Sequence, residues 1–339
     1  MTFYYPDNFF ESKARWHIFP LLKALLKEEG HQYEDFQISD TFNHADCVIL
    51  PMSWNYYYRI DCIDQILNYC SNLPRDVLVI SFVFGDFGVK VPNAYKGLVF
   101  RTSGYRSKLP ENHIGMPVFI DDPVAKYVTK EVDLIRSKNE LATVGFCGQA
   151  RSFGWSSFFD MSKIVYRNLK RLLGLSVLDK QQLVSATYLR WQLLDVVKKS
   201  NKVISNLIIR NTYRAGVHTN KAYHNTTLAF YDNLRTSDFV LCVRGAGNFS
   251  TRFYETLAMG RIPIFVNTDC LLPLHDTIDW KQHVVWIEVS DKKQIPQAVK
   301  AFYDDLDETS LNQQILKNRN LWIEHLQVFS FFKTFFNAY

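Results

Sequence analysis

Short apolar runs alternate with longer amphipathic stretches from the first residues of the chain onward. Residues 2–5 make the first run. Residues 11–29 follow with Phe19, Leu22, Leu25 and Leu26 at helical spacing and Gly30 as the stop. Residues 46–50 then predict a strand, residues 60–69 a helix, and residues 77–84 a strand buried on both faces. Residues 97–101 and 116–120 predict two shorter strands. A charged stretch, residues 126–140, separates this unit from a new apolar strand at 143–147, which ends in the glycine turn Gly145 to Gly148. Beyond it the pattern predicts helices over 161–173 and 181–199. Strands are predicted over 203–209, 239–243, 262–266 and 283–289.

Strands alternating with helices are the pattern of open parallel sheets covered by helices on both faces. A chain of 339 residues also exceeds what one hydrophobic core usually organises. The expected fold is therefore α/β, with two Rossmann-like domains facing a central cleft. The N-terminal domain is placed at residues 1–140 and the C-terminal one at 141–320. Residues 321–339 form a last helix carrying Phe329, Phe331, Phe332, Phe335 and Phe336. Such a helix either lies in a membrane interface or packs back on the N-terminal half, and the aggregation hazard of so many exposed rings favours packing.

Composition narrows the function classes. A net charge of +5 is a mild excess that suits an anionic diphosphate ligand or an acidic membrane surface, and with no basic stripe or recognised module it argues against nucleic acid. The six cysteines are scattered, form no CxxC pair and read as free thiols of a reducing compartment. No signal-peptide pattern opens the chain and no run of about twenty apolar residues occurs. The expected location is the cytoplasm, with contact to the inner face of a membrane left open.

The chemistry concentrates in residues 238–280. A strand, a glycine-containing turn, a helix and a second strand follow one another there. Gly245 and Gly247 permit a tight turn, Ser250 is placed to cap, and the helix from Thr251 stops at Gly260. Its free N–H groups and dipole suit a diphosphate. Arg244 and Arg252 flank that point, and their planar forks neutralise phosphate without a metal. Asn248 lies in the same turn. Glu255, one turn into the helix, is placed to reach ribose hydroxyls, and Arg151 after the Gly148 turn is a further candidate for phosphate.

The run CVRGAGNFSTRFYETLAMGRIPIFVNTDCLLPLHDTIDW resembles the exostosin signature of glycosyltransferase family 47. Similar echoes are ADCVILP at 45–51, VLVISFVFGDFG at 77–88 and TVGFCGQARSFGW at 143–155, in family order. The resemblance implies a fold of the GT-B type, inversion at the anomeric carbon, a donor held by the C-terminal half, UDP as its nucleotide, and no catalytic metal or other cofactor. The family's His before Asp is Gly85 here, and its membrane anchor and luminal cysteine pattern are missing. The expected acceptor is accordingly a glycan or glycolipid of a bacterial or viral surface.

Inversion needs a base on the acceptor side, which in this architecture comes from the N-terminal half. Asp86, in the loop Gly85-Asp86-Phe87-Gly88 after a buried strand, is the first candidate, against the plain reading of a turn-forming Asp. Asp7 and Glu11, after the first strand, come next. His17 and His113 rank lower, and Asp276 and Asp279 either line the donor sugar or cap the next element. Two rivals stand beside this reading: a sugar-nucleotide epimerase or phosphorylase of the same fold, and a nucleotide- or glycan-binding module without turnover.

Overall fold

A computed structural model of the chain describes residues 1–127, 134–212, 216 and 220–339, the side chains of 220–223 excepted. Part of the charged linker, residues 128–133, thus lies outside the described residues. The first half contains β1 (Thr2–Tyr4), β2 (Gln32–Tyr33), β3 (Phe36–Ile38), β4 (Cys47–Ile49), β5 (Leu78–Val83), β6 (Leu98–Arg101) and β7 (His113–Gly115). They make one sheet in the order β2-β3-β1-β4-β5-β6-β7, parallel except for the β2–β3 hairpin. Around it lie α1 (Pro20–Leu25), α2 (Trp54–Arg59), α3 (Ile63–Ser71) and α4 (Pro123–Tyr127).

The second half contains β8 (Thr143–Gln149), α5 (Trp155–Leu172), α6 (Ala186–Lys198), β9 (Ile204–Arg210), α7 (Asn220–Arg235), β10 (Phe239–Cys242), α8 (Thr251–Ala258), β11 (Ile262–Asn267), β12 (Val285–Glu288) and α9 (Ile295–Asp304). Its sheet runs β12-β11-β10-β8-β9, all parallel. Strand order reverses between β1 and β4 in one sheet and between β8 and β10 in the other. The carboxyl ends of strands at such reversals open crevices where ligands bind. This is the twin Rossmann-like architecture expected.

Several local expectations shift. The helix expected over 11–29 shrinks to α1, because Pro20 takes its first position and the residues before it form a loop that bonds across the sheet, Phe19 N–H to Pro51 O at 2.8 Å. The helix expected over 60–69 starts later, as α3 at Ile63, because α2 ends at Arg59 and Asp61 between them has φ 55°. Residues 116–120 join no strand. They wall a cavity instead.

The chain closes with α10 (Glu308–His325), begun by a capping box between Asp307 and Ser310, and α11 (Val328–Ala338). The aromatic tail packs on the first sheet: Phe331, Phe332 and Phe335 are buried, with Phe332 5.5 Å from Phe19 and Phe335 5.0 Å from Phe100 between ring centroids. Each ring so buried contributes roughly 2 kcal/mol from its area alone.

Polar clasps join the halves. Arg319 of α10 grips Asp122 with both terminal nitrogens, at 2.8 and 2.6 Å, and also donates to the Ala258 carbonyl. The fully buried Arg101 pairs with Asp179 at 2.5 Å and lies 3.3 Å from His113 Nδ1. Burial, and then Arg101, push the His113 pKa down to about 3. The fold therefore holds His113 neutral, whereas the unfolded chain protonates it near pH 6.5. Stability from this source is complete above pH 6.5 and falls as pH drops toward 3. At pH 4 the loss is about 3 kcal/mol. His113→Asn, which does not titrate, should flatten the acid side of the stability curve between pH 6.5 and 4, measured by urea unfolding. An unchanged slope would assign the acid loss elsewhere.

Candidate functional site

A cavity of about 810 Å³ lies between the halves, where the carboxyl ends of β5, β6 and β7 meet the start of α8 and the bend between α10 and α11. Phe84, Gly85 and Asp86 line it from the first half, and Phe249 and Thr251 from the second. Asp86 is thus at the cleft. Burial pushes its carboxyl above the ordinary value, against the opposing pull of the Arg244 guanidinium. The main-chain carbonyl of Asp86 accepts from Ser103 Oγ at 2.6 Å, which fixes the loop while leaving the carboxylate to the cavity.

The other two acids expected for catalysis are not brought there. Asp7 is exposed in a one-turn 3-10 helix after β1, beside the Tyr5 hydroxyl, and Glu11 accepts from the Lys13 N–H at 3.0 Å. His17 Nδ1 lies 2.7 Å from Ser53 Oγ with its ring against Phe84. Asp279 accepts from Lys281 N and Gln282 Nε2, so it caps a turn. Asp276 is exposed and pairs with His275.

The turn after β10 brings together most of the residues expected around a donor and reassigns three of them. Asn248 faces no ligand space: its amide donates to the carbonyls of Gly104, Thr268 and Asp269 at 2.9, 3.0 and 2.9 Å, and its oxygen accepts from Thr268 Oγ1 at 2.7 Å. Gly247 is small because the first half comes close: a Cβ there would lie 2.6 Å from the Asp86 carbonyl oxygen. Ser250 sits at the N-cap position but its hydroxyl caps nothing. Gly245 stays open, with only Arg190 Nη2 within 4 Å of a notional Cβ. Gly260 ends α8 with φ 65°, as its sequence position predicts.

Arg244 is buried, donates to the Tyr105 hydroxyl at 2.8 Å and to Ala246 O at 3.2 Å, and leaves its Nε unpartnered. Arg252 turns back under α8, donating to Cys147 O at 2.8 Å and lying 4.2 Å above the Phe146 ring. It braces the ends of β8 and β10 against each other. Arg151 also keeps a buried Nε without a partner. Arg190 of α6, which the sequence pattern does not single out, spans the reversal point by donating to Gln149 O and Arg244 O at 3.4 and 3.1 Å. The guanidinium groups of Arg244, Arg252 and Arg190 therefore gather about the carboxyl ends of β8 and β10. Glu255 accepts from Tyr231 Oη at 3.3 Å, and Tyr231 stacks on Tyr127 at 4.2 Å.

The cavity also has a cationic rim that sequence reasoning missed. Arg15, Lys23 and Lys27 line it with Trp16, which is 76% exposed and lies under the Lys23 ammonium at 5.4 Å. Burial and then the like charges of Lys27 and Arg15 push the Lys23 pKa down. No described carboxylate pairs with any of the three. Two lysines at i and i+4 beside an exposed Trp were the available signal, hidden by reading 11–29 as one ordinary amphipathic helix.

Residues 175–302 match the model of the exostosin GT47 domain, so the match takes in β9 to β12 and α8 with its turn. Exostosin-1 of Drosophila melanogaster is 37% identical over 68 residues, 20% of this chain and 9% of that protein. A probable glucuronosyltransferase of Oryza sativa subsp. japonica is 26% identical over 92 residues, 27% and 21% of the two chains. A probable beta-1,4-xylosyltransferase of Arabidopsis thaliana is 33% identical over 73 residues, 22% and 16% of the two. The chain thus spans no more than about a fifth of the length of these relatives. Among solved structures, an alpha-glucosyltransferase in complex with UDP-glucose and DNA is 14% identical, with 87% of this chain and 80% of that one covered at a TM-score of 0.37. Across residues 175–302 the chain is thus similar to the exostosin GT47 domain.

Proposed function

We propose that the chain transfers a glycosyl group from a nucleotide diphosphate donor, UDP-linked, to a glycan acceptor, with inversion and without a metal. One observation carries the reading: Asp86, a carboxylate with a raised pKa, and Thr251, the first residue of α8, line the same cavity from opposite halves. An acceptor hydroxyl in that cavity attacks the anomeric carbon while its proton passes to Asp86. The bond to the diphosphate breaks, and its electron pair leaves on a phosphate oxygen facing α8 and the Arg244 side of the turn. The acceptor seat includes Trp16 as a stacking platform and the Arg15, Lys23 and Lys27 rim, which favours a glycan bearing an acidic group.

Donor binding tests this reading without knowledge of the acceptor. UDP should bind the protein in excess chelator, and Glu255→Gln should weaken that binding roughly ten- to hundred-fold, since a carboxylate accepting from ribose hydroxyls contributes about 1.5–3 kcal/mol. Calorimetry on the two proteins measures it, with the ligand-free unfolding midpoint as the control. UDP affinity that needs Mg²⁺ or Mn²⁺ would remove the metal-free part of the reading, and equal affinity of parent and Glu255→Gln would move the donor site.

A further inference from the structure

Helix α5 is built the wrong way round for a protein surface in water. Ser157 is its one fully buried residue among 18. The side that meets the protein is polar: Asn168 exchanges hydrogen bonds with the Gln181 backbone at 2.8 and 3.0 Å, Arg171 donates to Leu178 O, and Arg167 lies 4.1 Å over the Phe87 ring. The outward side is aromatic and aliphatic. Trp155 is 79% exposed, Tyr166 59% and Leu172 81%, with Phe158, Phe159 and Leu169 also more than half exposed. The apolar surface continues past the helix end through Leu173 and Leu175. An exposed apolar surface this continuous marks an interaction site and not chance exposure.

Charge selects the partner. The exposed residues of α5 include Lys163 and Lys170 and no acid. Lys170 reaches over the Tyr166 ring at 4.7 Å, so its stem lies along the apolar face. The one acid of the helix, Asp160, is turned inward to Ser185 Oγ at 3.2 Å. Lysines are depleted from the centres of protein interfaces, whereas Trp, Phe and Leu flanked by Lys make the face of a helix lying in the plane of a bilayer. Among the described residues no helix is long and apolar enough to cross a membrane, which leaves an in-plane seat.

We propose that the outward face of α5, with Leu173 and Leu175, seats the protein on an anionic lipid bilayer. The seat is coupled to the cleft. The segment after α5 lies against the loop that carries Asp86, through Lys90 N–H to Val177 O at 2.8 Å, Gln181 Nε2 to Phe87 O at 2.9 Å and the Arg101–Asp179 pair. A bilayer under α5 thereby holds the cavity at a fixed orientation to the lipid surface. The seat does not depend on what the cavity binds.

Vesicle flotation with the whole chain tests it, using phosphatidylcholine alone and phosphatidylcholine with 30% phosphatidylglycerol. The expected result is flotation with the anionic vesicles, weakened at high salt, and a drop of about ten-fold or more in the bound fraction for Phe159→Ser/Leu169→Ser and for Lys163→Gln/Lys170→Gln. All four side chains point away from the core, so the unfolding midpoint should hold. Wild-type protein that stays unbound with both vesicles overturns the proposal. So does a dimer in light scattering that Phe159→Ser/Leu169→Ser dissociates without any vesicle binding, which would give the face to a second copy. Equal, salt-insensitive binding to both vesicles overturns the anionic assignment.

Discussion

Asp86→Asn is expected to lower kcat by two or more orders of magnitude while leaving nucleoside diphosphate affinity nearly unchanged, the usual scale for a lost general base. The substitution is close to isosteric, and the hydrogen bond that fixes the loop reaches the main-chain carbonyl of Asp86, not its carboxylate. The loop should therefore stay in place and the loss should be chemical. The parent should show an acid limb in its pH–rate profile. A base works only when deprotonated, and burial has raised the Asp86 pKa, so activity should begin to fall at a higher pH than an exposed aspartate would give. In Asp86→Asn that limb should vanish from the residual rate. Near-normal turnover in Asp86→Asn would take the role of base away from Asp86.

The second large effect concerns Asn248. Its amide nitrogen serves three carbonyls, from Gly104 in one half and from Thr268 and Asp269 in the other. Asn248→Asp replaces that donor by a carboxylate oxygen facing three carbonyl oxygens in a buried place. The expected loss is about 4 kcal/mol, because a buried charge without a partner is added to three unmet acceptors. Asn248→Ala leaves the acceptors unmet but adds no charge, and should lose roughly half as much. Thermal unfolding of the three proteins reads the series. If Asn248→Asp melts with the parent, the halves are held by the Arg319–Asp122 and Arg101–Asp179 clasps and the Asn248 contacts are incidental.

What was legible in the sequence is what short-range chemistry determines. The buried strand before Asp86 and the strand–turn–helix around Arg244 announce themselves within a dozen residues each, so the cleft and the main candidates on either side of it were readable. Asn248 and Gly247 were read by the same local logic and came out differently, because each meets a residue over a hundred positions away, Ser103 and Asp86 respectively. No periodicity reports such a contact. The β2–β3 hairpin, two and three residues long, is too short for a period of two to show. The cationic rim needed Pro20 to be weighed as a helix start, since only then does Lys23 fall in one short helix at the mouth of the cavity, with Lys27 in the turn that follows it.

The burial of α11 in the first sheet bears on how the chain is made. Strand β7 ends at Gly115, yet the rings that complete the packing around Phe3, Phe19 and Phe100 belong to Phe331, Phe332, Phe335 and Phe336. During synthesis the first half must wait for roughly 200 further residues, about 10–40 s at ordinary translation rates, before its missing wall emerges. For that interval Phe19 and Phe100 have no ring from α11 to close over them. A ribosome-stalled or C-terminally truncated chain ending near residue 320 should therefore bind holdase chaperones far more strongly than the finished protein, although every strand of both sheets has already been made.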